Sequence, residues 1–154
     1  MYHTSIFERM QQVRDFNEWR AGKLGYVFFS RLNDLIITEE NSKNGLFDYL
    51  IDIGDNQKQT GRLFGVEVKA VNGTPSNDKF KFERYKNISF PLLLLAFDNK
   101  TDTGYFKWIK EPKQDGRLLF DSSLEKMNLL NSESLQGIVG DVKNWYAHQT
   151  VIAD

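Results

Sequence analysis

Apolar residues recur at helical spacing at the start of the chain, at Ile6, Met10, Val13, Ala21, Leu24, Phe28 and Leu32, with Asn17 standing in one apolar slot. The spacing predicts helix from about residue 5 to 32. Thr4 or Ser5 serves as N-cap, and Glu8, three residues past Ser5, completes a capping box. Gly22 and Gly25 predict either a kink or a division into two helices. They also share a face with Glu18, so a sheet that approached them closely would lie near the Glu18 carboxylate.

The pattern then changes to short apolar runs and alternation. Strands are predicted at residues 35–38, 46–53 and 62–70, with a polar loop at 39–45 and a turn at 54–61. Residues 71–78 are irregular, 79–83 alternate as a strand would, and 84–88 suggest a short helix. The unbroken leucines after Pro91 predict a strand buried on both faces at the centre of a sheet. A turn at 98–104 leads to a strand at 105–110, in which Phe106 and Trp108 share a face and read as core packing or as base-stacking surface, packing being the favoured reading. A short helix from Asp121 or Ser122 to Leu130 follows. A last amphipathic helix starts at Asn131-Ser132 and carries Leu135, Ile138, Val139, Val142, Trp145 and Tyr146. The expected architecture is one α/β domain with a central mixed sheet flanked by helices.

Two neighbouring strands carry the chemistry. Asp48 lies in the run Phe47-Asp48-Tyr49-Leu50-Ile51-Asp52-Ile53, and Glu67 and Lys69 lie in Phe64-Gly65-Val66-Glu67-Val68-Lys69-Ala70. Side chains two apart in a strand share a face, so Glu67 and Lys69 point together while Phe64, Val66, Val68 and Ala70 point away. Two carboxylates are a usual protein contribution to a Mg²⁺ site, the other positions going to water and phosphate. A lysine beside them would orient the attacking water and offset charge growing on a phosphorane-like transition state. Asp52 shares the face of Asp48 and is its rival; Asp48 is preferred because it follows Gly45, where a strand end meets a loop. Acid-x-Lys also occurs at Asp98–Lys100, Glu111–Lys113 and Asp141–Lys143, but these fall in a turn, at a strand-breaking proline and in a helical pattern. The competing reading is a solvated sheet face or a cross-strand ion pair.

The chain has 154 residues, 14% aromatic and 27% charged, which fits a single folded domain and excludes disorder as its main state. No cysteine is present, so disulfides and thiolate zinc sites are excluded, and the two histidines, His3 and His148, sit near opposite ends. No apolar run is long enough to span a bilayer and no secretory pattern opens the chain, so a soluble, cytoplasmic protein is expected. A net charge of −1 weighs against a protein that wraps nucleic acid by charge alone. Lys79, Lys81 and Arg84, with Lys86, form one basic cluster, and Lys107 and Lys110, with Lys113, form another. They track a phosphate backbone if they ring the Asp48/Glu67 cleft, and are otherwise solvated edges that guard against aggregation.

From Glu18 to Lys110 the order of elements resembles the PD-(D/E)XK nuclease superfamily, and most closely a family of small bacterial domains of unknown function within it. The resemblance rests on Gly45-Leu46-Phe47-Asp48, on Glu67-Val68-Lys69-Ala70, on the strand from Phe90-Pro91 to Asp98, and on Tyr105-Phe106-Lys107-Trp108-Ile109. Phe47 departs from the pattern, since the superfamily often has proline there. The resemblance implies a restriction-endonuclease-like core, Mg²⁺ (or Mn²⁺) held by Asp48 and Glu67, Lys69 as the catalytic cation, and Glu18 on the first helix as a further ligand. The implied function is hydrolysis of DNA or RNA phosphodiester bonds. The alternative is a catalytically silent nuclease fold that binds another protein, in bacterial or phage defence or counter-defence, or that pairs as a homodimer.

Overall fold

The computed structural model describes residues 5–39, 47–73, 82–124 and 127–152. Helix α1 runs unbroken over Ile6–Phe29, so neither glycine divides it. Ser5 caps it as expected: its hydroxyl accepts from the Glu8 N–H at 3.1 Å, and the Glu8 carboxylate accepts from the Ser5 N–H at 3.3 Å. Strands β1 (Leu35–Glu39), β2 (Tyr49–Ile53), β3 (Leu63–Val71), β4 (Leu92–Asp98), β5 (Gly104–Pro112) and β6 (Leu118–Phe120) are neighbours in chain order in one sheet. A two-residue β7 (Asn128–Leu129) also pairs with β5. The sheet is mixed and mostly antiparallel: β3 runs parallel to β4, and every other pairing is antiparallel. Helix α2 spans Ser132–Ile152, its start held by Asn131, whose side-chain oxygen accepts from the Ser134 N–H at 2.9 Å.

The main core lies on one face of the sheet. Tyr49, Ile51 and Ile53, then Phe64, Val66 and Val68, then Leu93, Leu95 and Phe97 project into it by the strand period of two. Ala21, Phe28 and Phe29 of α1 and Leu135, Ile138, Val139 and Val142 of α2 close over them. The two helices therefore share a face, which corrects the expectation that helices flank the sheet. The other face is covered by a short 3₁₀ turn, Phe82–Tyr85, and by the segment around Phe120 and Leu124, packed on Leu92, Leu94 and Ile109.

β4 is buried along almost its whole length because it sits between two covered faces. Phe106 and Trp108 pack against the main core, as the core reading of that pair held. Two boundaries differ from expectation. Pro112 ends β5 rather than interrupting it, and the stretch after Gly116 forms β6 and β7 around an irregular segment instead of a short helix. Its capping residue Asp121 is used otherwise: its carboxylate accepts from the Ser123 N–H at 2.9 Å and pairs with Lys107.

Glycine lets α1 approach the sheet. A Cβ at Gly25 would stand 3.2 Å from Val68 Cγ2 and 3.5 Å from Leu95 Cδ1, tighter than most side-chain contacts. One turn earlier, the Tyr49 hydroxyl donates to the Gly22 carbonyl at 2.7 Å, which pins the helix to the start of β2. Glu18 is thereby carried to the start of β2, where Asp48 lies.

Candidate functional site

β2 leaves the ladder at Asp48. The Asp48 N–H still donates to the Val66 carbonyl at 2.9 Å, while its side-chain Oδ2 accepts from the Val68 N–H at 2.7 Å. The carboxylate thus takes over a backbone donor of β3 and is fixed between Glu67 and Lys69 in sequence. Asp48 is exposed as a residue, but its carboxylate faces β3, and desolvation, ahead of the opposing bond from Val68 and the charges of Lys69 and Arg84, raises its pKa.

Glu67 is buried and points from β3 into the face away from the main core. Lys69 Nζ lies 3.1 Å from its Oε1, as two residues on one strand face should. Arg84 Nη2 lies 3.7 Å from its Oε2 and packs over the Tyr85 ring, and the buried Tyr85 hydroxyl also reaches Glu67. Burial, and then the neighbouring Asp48 charge, push the Glu67 carboxyl above its ordinary range against the pull of Lys69 and Arg84. Burial likewise raises Tyr85, and it lifts Tyr49 to about 12.

Glu18 stands on the α1 side of the same site, with its pKa raised chiefly by burial and opposed by Lys69 and by the Ala70 backbone. A cleft of about 320 Å³ opens here, with Glu18, Trp19, Lys23, Glu39, Asp48 and Tyr49 among its walls. Asp48 is the residue common to this cleft and to the Glu67–Lys69–Arg84 group. Among the described residues, no three Asp, Glu or His side chains stand close enough to form a metal-binding group. The carboxylates that could hold an ion are Asp48 and Glu67, which feel one another's charge, with Glu18 coupled to Asp48 in the same way. Hard oxygens in that number suit one Mg²⁺ or Mn²⁺ that keeps most of its water, and carboxyls kept reluctant to ionise by burial and by one another are stabilised by a cation. Comparison of the chain with protein-family models, curated proteins and solved structures finds no match.

Asp52 is a different kind of acid. It is buried on the same strand, and its carboxylate accepts from the Thr60 and Gly61 N–H groups, each at 2.9 Å, closing the turn after β2. Both its oxygens serve the fold, which leaves Asp48 as the acid of the site.

The two expected basic clusters fare differently. Lys79 and Lys81 lie outside the described residues. Arg84 joins the site through Glu67. Lys107 and Lys110 do not form an exposed phosphate track: both are buried. Lys107 Nζ pairs with the Asp121 carboxylate at 3.2 Å over the Phe82 ring. Lys110 Nζ donates to the Lys86 carbonyl at 2.6 Å over the Phe120 ring, and its burial lowers its pKa. The cause is the cover laid on the second sheet face by the 3₁₀ turn and the Phe120–Leu124 segment. Tyr85 and Tyr49, which hold the site's geometry, carried no signal in the sequence beyond adjacency to Arg84 and Asp48.

Proposed function

We propose that this chain is a PD-(D/E)XK-type nuclease with a restriction-endonuclease-like core, which hydrolyses phosphodiester bonds of DNA or RNA with one divalent ion, Mg²⁺ or Mn²⁺. The observation that carries the reading is the meeting of Asp48, Glu67 and Lys69 on two adjacent antiparallel strands, with both carboxyls raised in pKa. The elements on which the resemblance rests also follow one another as neighbours in the sheet, from the Asp48 strand to the strand with Trp108.

In this reading Asp48 and Glu67 would hold the ion, and Glu18 would add negative charge beside them. The ion, when bound, acidifies water and polarises a phosphate oxygen. Lys69 positions the attacking water through its ammonium and offsets the negative charge that grows on the phosphate in the transition state. Arg84, on the far oxygen of Glu67, holds that carboxylate in place and favours its charged form against the burial that opposes it. Glu18, Glu39 and Asp48 of the cleft wall outnumber its Lys23 by two charges. The bare cleft thus repels a phosphate backbone, and one divalent ion cancels that charge. Nucleic-acid binding should accordingly depend on the metal as well as cleavage.

The test is digestion of single- and double-stranded DNA and RNA by the purified protein. Cleavage is expected with Mg²⁺ or Mn²⁺ and none with EDTA. Absence of cleavage on all four substrates with either ion removes the catalytic reading. The burial of Lys107 and Lys110 favours the second reading, a silent nuclease fold whose acidic cleft meets a basic protein surface, and that outcome would support it.

A further inference from the structure

The first half of α1 is the least explained surface of the molecule. Its last turns bury Ala21, Gly25, Phe28 and Phe29 against the sheet, yet Ile6 and Phe7 are 78% exposed, and Met10, Val13 and Phe16 are 56–60% exposed. These are not scattered apolar residues of the kind any surface carries. Ile6, Met10, Val13 and Asn17 follow one another at intervals of four, three and four, the spacing of a coiled-coil seam with one polar position. Phe7 and Arg14 flank the seam on one side, Arg9 and Phe16 on the other, each pair seven residues apart.

We infer that this half of α1 pairs with the same segment of a second copy of the chain, in antiparallel orientation. The flanking residues decide both the occupant and the direction. In a parallel pair the Arg9 flank of one helix faces the Arg14 flank of the other on both sides of the seam, placing like charges together twice. In an antiparallel pair Met10 packs in a layer with Val13 of the second copy, Arg9 lies against its Phe16, and Arg14 against its Phe7, so each guanidinium meets an aromatic face. The segment complements itself, which a surface built for an unrelated partner has no need to do. The five apolar side chains expose on the order of 500–600 Å² per copy at roughly 150–200 Å² for a large side chain. Pairing then removes up to about 1,000–1,200 Å² from water, at the lower end of specific interfaces, so the dimer should be weak and dependent on concentration. The two-fold axis sets the bodies at opposite ends of the helix pair, and the start of each helix lies near Glu18 of the other copy.

The chain has no cysteine, so engineered disulfides report the geometry cleanly. Sedimentation of the full chain from about 1 to 100 µM should show a concentration-dependent dimer, and Val13→Glu should make it monomeric with an unchanged circular dichroism spectrum, since Val13 is exposed. Under mild oxidation the double substitution Met10→Cys/Val13→Cys should cross-link into dimers, and Val13→Cys alone should not. A monomer at every concentration overturns the inference, as does a dimer that Val13→Glu leaves intact. Cross-linking of Val13→Cys alone as fast as the double variant overturns the antiparallel arrangement. None of these outcomes depends on nuclease activity.

Discussion

Lys69→Ala is expected to lower metal-dependent cleavage by about 10²–10³-fold, the usual cost of removing one group that stabilises transition-state charge. The fold should survive, because the Lys69 side chain is 35% exposed and its partner Glu67 keeps Arg84. A drop in turnover with little change in KM would place Lys69 in the transition state. Lys69→Arg restores charge but not shape and should recover only part of the rate. Retention of full activity in Lys69→Ala would mean that another site, or another protein, does the cutting.

Asp52→Ala is expected to destabilise the protein by about 2–4 kcal/mol, because a buried carboxylate that accepts from two backbone donors is lost and the Thr60 and Gly61 N–H groups are left without a partner. Asp48→Asn should behave in the opposite way. Burial raises the Asp48 pKa in the folded state, so the folded protein holds that proton more tightly than the unfolded chain does. The stability contributed by this group is present below the ordinary carboxylate range and is lost as pH rises through the raised value. At pH 7 the ionised Asp48 is therefore a cost, and asparagine removes it while keeping an oxygen for the Val68 N–H. The gain should be no more than about 1 kcal/mol, since solvent screens an exposed residue, and it should vanish on acidification. Denaturant melts of both variants at pH 7 and pH 4 check the pair. A loss from Asp48→Asn equal to that from Asp52→Ala would make Asp48 a structural acid. A stabilising substitution that removes activity is the signature of a site held under strain for function.

Much of this was legible from local pattern. The period of two in residues 64–70 placed Glu67 and Lys69 on one face and Phe64, Val66, Val68 and Ala70 in the core, because strand geometry leaves no other option. Ser5 and Glu8 marked the start of α1 for the same local reason. Gly22 and Gly25 signalled close approach to the sheet, though not that the helix would stay whole. What escaped depends on chain segments distant in sequence. Lys107 and Lys110 are charged residues set among apolar ones in β5, and only the cover from Phe82–Tyr85 and Phe120–Leu124 buries them. Arg84 and Tyr85 meet Glu67 from more than ten residues further along the chain, a pairing that no periodicity encodes. The choice between Asp48 and Asp52 likewise turned on which carboxylate closes the Thr60–Gly61 turn.

The central claim, that Asp48 and Glu67 hold a divalent ion beside Lys69, is tested most directly by crystals of the protein soaked in Mn²⁺ and measured for anomalous scattering. The account predicts one manganese peak within about 2.2 Å of a carboxylate oxygen of each acid, with Lys69 facing its water shell, and loss of that peak in Asp48→Asn. Manganese bound elsewhere, or no peak at a concentration that supports cleavage, would contradict it.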